Sequence, residues 1–358
     1  MIRRCLEIYL GVARRVWYHL PNCLKNLSVG RAYGRHLHAL VCRYSKRNQN
    51  HSTFFMRNRP EMELMRRLVS QNVHGAKVAI SVLACSKGAE VYSILCSIRT
   101  SRPDLKITLQ AVDISQEIVD FAQEGAYSLK GPVDLQAQDQ LGMTDEEELI
   151  RLTCRDQGPD QGASIFQRLD QSEMEAMFDR EGNRAKIKPW LKEGVTWRLG
   201  DASAPELIQE LGTQDVVVAN RFLCHMEPAA AERCLRNIGG LVKPGGYLFV
   251  SGVDLDVRTK VAKDLDWQPV SDLIREIHEG DFSLAMGWPF GWWGLEAFYE
   301  DHSDWMIRYA CVFRVGQTSV VQPEWHWSPS SWSSKVKRRK LRKGKEEDQR
   351  IEKAARRR

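Results

Sequence analysis

The middle of the chain is written in short alternating blocks. Apolar, β-branched runs at 78–83, 107–112, 195–199, 215–219 and 246–252 have the length and composition of strands covered on both faces. Between them, 90–100, 115–124, 205–211 and 228–238 predict helices by their three-to-four-residue apolar spacing. Repeated β-α-β units build a doubly wound, mostly parallel sheet, so the expected class is α/β and Rossmann-like. A last apolar run, Met306 to Val315, predicts a strand pairing antiparallel at the sheet edge.

Outside this alternation the pattern changes. Residues 2–20 place Leu6, Leu10, Val16, Trp17 and Leu20 at helical spacing before Pro21, and a second helix is predicted over about 30–43. A third runs from Glu61 to Gln71. From Lys130 to about Ala163 the chain is polar, with Gly, Gln and Asp runs, and reads as an inserted, partly helical excursion over the sheet. Residues 265–300 carry Trp267, Trp288, Trp292 and Trp293, with Trp305 just beyond; the Gly-Trp-Pro-Phe-Gly-Trp-Trp-Gly run among them is a loop by its glycines and proline. From about Pro323 the sequence turns to Trp, Ser and Pro and then to Lys/Arg runs, a composition that cannot bury a core. The expected organisation is a basic helical arm (1–47), one main domain (48–320) and a basic, disordered tail (321–358).

Charge sharpens this division. The net +6 hides +9 in residues 1–47 and +9 in residues 335–358, which leaves −12 for residues 48–334. An acidic globule with two basic ends is not the profile of a nucleic-acid-binding core. The basic, aromatic arm would suit an acidic partner or a membrane surface, or simply pack on the main domain with its charges in water. The tail could bind phosphate-rich polymers or merely solubilise. Nine scattered cysteines, with no Cys-x-x-Cys pair, suggest neither a zinc site nor a disulfide framework. They read as free thiols in a reducing cytoplasm, the expected location. No apolar run approaches the ~18–20 residues that span a bilayer, and the signal-like start is interrupted by Arg14 and Arg15.

The chemistry is concentrated in residues 79–93. There an apolar strand runs into a small-residue turn, and a helix opens with Glu90 in its first turn. A second apolar run ends in Asp113, twenty-three residues after Glu90. A dinucleotide site needs glycines that let backbone approach the pyrophosphate at a helix N-terminus. This turn has only Gly88, and Glu90 would repel a phosphate while suiting an ammonium. S-adenosylmethionine offers an ammonium, a sulfonium and a ribose without any phosphate. Asp113 can accept both ribose hydroxyls in charge-assisted hydrogen bonds, and Asp201, after the third strand, can meet the adenine amino group beside Ala202.

The same residues resemble the CheR-type methyltransferases, which methylate glutamate side chains of bacterial chemoreceptors. That family's opening motif, Asn-x-Thr-x-Phe-Phe-Arg, keeps its Thr, one Phe and its Arg in His51-Ser52-Thr53-Phe54-Phe55-Met56-Arg57. Its turn, Ala-Cys-Ser-Thr-Gly-Glu-Glu-Pro-Tyr-Ser, is matched at seven of ten positions by Ala84 to Ser93. Ala111-Val112-Asp113-Ile114-Ser115, Gly125-Ala126-Tyr127 and Val242-Lys243-Pro244-Gly245-Gly246 resemble further family motifs. The resemblance covers roughly Thr53 to Gly252 and implies a class I methyltransferase fold. It implies contacts to S-adenosylmethionine from Thr53, Arg57, Glu90, Asp113, Asp201 and Ala202. Cys85 and Gly88 of the matching turn, with Asn220 and Arg221 at the place of the family's Arg-Asn, complete the expected cofactor-binding set.

The chain also departs from the family. Where the family has Cys-Arg-Asn-Val-x-Ile-Tyr-Phe, Ala219-Asn220-Arg221-Phe222-Leu223-Cys224-His225-Met226 reverses Arg-Asn and puts His225 in the place of the tyrosine. Arg57 and His225 are the expected catalytic residues, the first steering a carboxylate and the second orienting an acceptor or serving as base for a hydroxyl. The expected function is methyl transfer from S-adenosylmethionine to an oxygen, carboxylate or hydroxyl, of a protein, small-molecule or saccharide acceptor. The tryptophans would give that acceptor an apolar or sugar-stacking wall, or else close the sheet edge as core. Two alternatives stand beside this reading: chemoreceptor glutamate methylation itself, and a cofactor-binding regulator without transfer activity.

Overall fold

Each apolar run becomes a strand because neighbours on both sides take its backbone hydrogen bonds. One seven-stranded sheet runs in the order β6 (Val195–Leu199), β2 (Lys106–Asp113), β1 (Lys77–Leu83), β7 (Gln214–Val218), β8 (Val242–Phe249), β10 (Val312–Arg314) and β9 (Gln268–Pro269). The first five are mutually parallel, and β10 is antiparallel to both of its neighbours. The fold is Rossmann-like α/β, and the chain order reverses direction between β1 and β7. In such sheets a crevice opens at that switch point, beyond the carboxyl ends of the strands. The computed structural model describes residues 2–44, 51, 53–129, 164–281, 288–290 and 295–316. The polar insert over 130–163, Trp292, Trp293 and the basic tail lie outside the described residues.

Helices cover both faces. On one side α4 (Arg59–Ser70), α5 (Ala89–Ser101) and their neighbours bury Leu64, Met65, Val91 and Leu95 against Val78, Ile80 and Leu109. On the other, α9 (Pro205–Leu211), α10 (Pro228–Gly239) and α11 (Leu255–Asp264) bury Leu207, Leu235 and Val261 against Leu83, Val217 and Leu248. α6 (Gln116–Glu124) starts on a Ser115 cap and stops at Gly125, whose φ of 60° ends the helix.

Two elements differ from the sequence expectation. Met306–Val315 is half helix: α13 (Trp305–Tyr309) precedes the three-residue β10, and β9 flanks β10 on its outer side, one place beyond the expected edge. A short, mostly apolar run satisfies either periodicity, so spacing alone could not divide it. The second difference is a small sheet, β3 (Ala126–Ser128), β5 (Arg184–Ile187) and β4 (Phe178–Glu181). Its hairpin turns at Gly182-Asn183, where Gly182 has φ 61°, a turn signal present in the sequence.

The small sheet holds the cavity's front edge in place. Phe55, fully buried, sits among Tyr127, Phe166 and Phe178 at centroid distances of 5.2, 5.8 and 5.0 Å. Tyr127 then donates its hydroxyl to the Lys87 carbonyl at 2.7 Å, fastening this aromatic cluster to the glycine turn. The arm, α1 (Ile2–His19), α2 (Asn22–Lys25) and α3 (Ser28–Tyr44), packs on the main domain. Trp17 meets Trp288 edge-on at 5.6 Å beside Leu37. Gly34 leaves the room that contact needs, since a Cβ there would lie 2.6 Å from Trp288. No helix among the described residues is long and apolar enough to cross a membrane.

Gly88 caps α5 at φ 81°, and a Cβ there would lie 3.1 Å from both Ala122 and Trp197. Left-handed backbone costs a non-glycine residue about 1–2 kcal/mol, and overpacking adds about 1–3 kcal/mol. Gly88→Ala is therefore expected to lower the unfolding free energy by about 2–5 kcal/mol, read from urea denaturation midpoints.

Candidate active site

A cavity of about 330 Å³ occupies the switch point, within the range of small-ligand sites. Its walls come from the ends of successive strands: Ala84 to Ser86 after β1, Asp113 at the end of β2, Gly200 to Ser203 after β6, Asn220 and Arg221 after β7, and Ser251 after β8. The segment before α4 closes the front with Thr53, Phe54 and Arg57. That segment is clamped by the Phe55 cluster, by the Met56 amide donating to Ser93 Oγ at 2.9 Å, and by Arg168 donating to the Arg57 carbonyl.

Of the residues expected from sequence, Thr53, Arg57, Cys85, Glu90, Asp113, Asp201, Ala202, Asn220, Arg221 and His225 all line this cavity. Gly88 does not; it lies behind the turn against Trp197, Tyr92 and Ala122. Its freedom shapes the helix start and offers no cradle to a ligand. Trp267 packs in the core beside Phe313, Trp305 against Phe298, and Trp288 against the arm. Trp17, Trp267 and Trp288 are core, and none of the described tryptophans lines the cavity.

Asp113 is 4% exposed and held by the turn itself. The Ser86 amide donates to Oδ2 at 2.8 Å and the Ser115 amide to Oδ1 at 3.3 Å. Asp201 is tied differently, its Oδ1 accepting from the amide and hydroxyl of Ser203 at 2.8 and 2.7 Å. Burial and then the Asp113 charge push the Cys85 thiol well up, so it stays neutral. Arg221 has a left-handed backbone, φ 62°, and pairs with buried Asp281; burial opposes its charge, but the Asp281 carboxylate still raises its pKa. An αL residue other than glycine costs roughly 1–3 kcal/mol and collects at functional sites. His225 ends a short 3-10 turn, Leu223–His225, on the same wall.

Two cavity residues were not legible as site residues, Glu61 and Asp281. Glu61 lies in the first turn of α4, is 3% exposed, and accepts from Asn220 Nδ2 at 2.7 Å. The same nitrogen donates to Glu90 Oε1 at 2.7 Å. The orientation of the Asn220 amide follows from its other end, where Oδ1 accepts from the amide and hydroxyl of Ser251 at 2.9 and 2.8 Å. Burial, then the charge of Glu90, pushes Glu61 up to about 8, and burial raises Glu90 as well.

The donor set fits S-adenosylmethionine. Asp113 is a buried strand-end carboxylate that a ribose would suit, the carboxyl groups of Glu61 and Glu90 would suit an ammonium, and the glycine turn offers no phosphate cradle. Residues 50–139 match the CheR methyltransferase SAM-binding domain, and residues 161–250 match a methyltransferase domain. Over residues 50–139 the chain therefore resembles the S-adenosylmethionine-binding part of CheR-type methyltransferases. Similar proteins include chemotaxis protein methyltransferase 1 of Pseudomonas aeruginosa, 25% identical over 177 residues, covering 49% of this chain and 54% of that protein. Chemotaxis protein methyltransferase Cher2 of Pseudomonas putida is also 25% identical, over 181 residues, 50% of this chain and 55% of that one. The chain thus spans about half the length of the curated relatives it matches. Among solved structures, an O-methyltransferase family protein from Burkholderia thailandensis superposes with a TM-score of 0.31 at 15% identity, over 81% of this chain and 61% of that one. Asn220 and Arg221, within the second matched stretch, keep an amide and a guanidinium in the cavity despite their reversed order.

The buried acid leaves a mark on stability. A Glu61 that titrates at about 8 when folded, against an ordinary 4.5, has its raised pKa as a stabilising term only at low pH. That contribution is complete below the unfolded value and is lost as pH rises to the folded one. Glu61→Gln, which mimics the protonated group, is expected to gain stability over the wild type steadily from pH 5 to pH 8 and no further above it. Thermal melts across that range read the difference.

Proposed function

We propose that this CheR-type domain transfers a methyl group from S-adenosylmethionine to an oxygen of its acceptor, with a carboxylate as the acceptor class. What carries the reading is one cavity in which strand-end carboxylates for a nucleoside and an ammonium adjoin the guanidiniums of Arg57 and Arg221. S-adenosylmethionine supplies, when bound, a methyl on a positively charged sulfur that is already an excellent leaving group. Asp113 would hold the ribose hydroxyls, Glu90 the ammonium, and Asp201 with Ala202 the adenine. Arg57 would draw in and align an acceptor carboxylate, and Arg221, steadied by Asp281, adds positive charge to the same wall. A carboxylate is already deprotonated and needs no strong base. His225 would orient the acceptor, or take the proton of a hydroxyl.

The relatives' names point to a chemotaxis substrate. The wall that would receive it carries Asn220-Arg221 and His225 in place of the family's residues, which supports the carboxylate class without singling out a chemoreceptor. Transfer from methyl-tritiated S-adenosylmethionine in a lysate is expected to give a base-labile label, that of a carboxyl ester. Base-stable label would move the acceptor to an ether or amine, and binding without any transfer would support a regulator. Asp113→Ala is expected to weaken S-adenosylmethionine binding by about 1.5–3 kcal/mol, measured by calorimetry. Unchanged affinity would remove Asp113 from the ribose.

A further inference from the structure

Glu61 and Glu90 reach the cavity floor from different helices, α4 and α5, and meet at one nitrogen. Asn220 Nδ2 lies 2.7 Å from an oxygen of each. Because Ser251 occupies Asn220 Oδ1 with two donors, the amide cannot turn to present its oxygen instead. A neutral amide can bridge two carboxyl groups but cannot neutralise them. The charged groups that act on this floor come from every element around it. Glu90 is on α5, Arg57 precedes α4, Arg221 follows β7, and Asp281 follows α12 (Ile274–Glu279). The buried Cys311 thiol, just ahead of β10, feels the Glu61 charge as well. Three carboxyl groups thus face two guanidiniums, one of which, Arg221, is engaged by Asp281. The floor is one positive charge short.

We propose that Glu61 and Glu90, bridged by Asn220, form a two-carboxyl seat for the primary ammonium of the methyl donor, and that Glu61 gives up a proton when that ammonium arrives. In the free protein the missing positive charge is supplied by hydrogen: Glu61, raised by burial and by Glu90 to about 8, is protonated at neutral pH. The placement of Glu61 in the first turn of α4 favours its anion but does not outweigh burial. On binding, the Glu61 O–H bond breaks and its proton passes to solvent. The carboxylate left behind accepts an N–H of the ligand's ammonium, and the charge of the floor is unchanged. Glu61 is therefore a binding residue that couples donor affinity to pH. The inference rests on the methyl-donor reading of the cavity.

Calorimetry with S-adenosylhomocysteine at pH 6.5, repeated in buffers of different ionisation enthalpy, counts the protons exchanged. The wild type is expected to release close to one proton per ligand. Between pH 7.5 and pH 6 its affinity should fall roughly 20-fold, the weight of one group titrating near 8. Glu61→Gln should bind with release near zero and a flat pH profile over that range. 5′-Methylthioadenosine, which lacks the amino-acid end, should release none from the wild type. Binding of S-adenosylhomocysteine by the wild type without proton release overturns the inference and leaves the donor reading intact. The same release from Glu61→Gln also overturns it. No binding of S-adenosylhomocysteine at any pH from 6 to 8 overturns both. The decisive count is made on the wild-type protein, so it does not depend on how well the variant folds.

Discussion

Asn220 donates through one nitrogen to Glu61 and Glu90 while its oxygen takes both donors of Ser251, and the floor of the cavity hangs on those four contacts. Together they join four parts of the fold: α4, α5, the end of β7 and the end of β8. A buried carboxyl without a partner costs far more than a hydrogen bond gains, so the amide that serves two of them constrains where all four elements can sit. The parallel register of β7 on β8, with Val218 opposite Phe249, brings Asn220 and Ser251 level with one another just past the strand ends. The sheet aims the residues and the amide locks them.

The turn after β1 solves a different problem with backbone alone. Ala84 and Ser86 both adopt left-handed φ, 52° and 49°, and the Ser86 amide is thereby turned onto Asp113. A carboxylate held by fixed backbone donors stays aimed, so its acceptors need no rearrangement to receive a ligand. Tyr127, reaching Lys87 from the small sheet, braces this turn from outside.

Much of this was legible before any coordinates. The strands that end at the cavity are apolar runs bounded by small residues, and the acids that follow them sit where a parallel sheet must present its ends. Asp113, Asp201 and Glu90 could be read from spacing, because topology converts their sequence positions into one crevice. Glu61 could not. A glutamate in the first turn of a helix is ordinary N-terminal chemistry, and only the packing of α4 over the sheet takes this one out of water. Asp281 was hidden for a related reason, since its partner Arg221 lies sixty residues earlier and nothing local announces the pair. The tryptophans could not be placed from sequence either. Their density left a binding wall and a sheet-edge core both open; of the described ones, Trp267 fills the space that Gly239 leaves over α10, and Trp288 packs on the arm.

The aromatic cluster around Phe55 has one more property. The chain leaves it through Tyr127 and Leu129 and comes back to it at Phe166, whose ring lies 6.1 Å from that of Tyr127. Whatever runs between is closed at its base by ring contacts and by the Phe55 amide donating to the Ile165 carbonyl at 3.1 Å. Once a loop is pinned this way, doubling its length costs only about 0.6 kcal/mol. The main sheet is thus insulated from the size of what is spliced between β3 and Phe166.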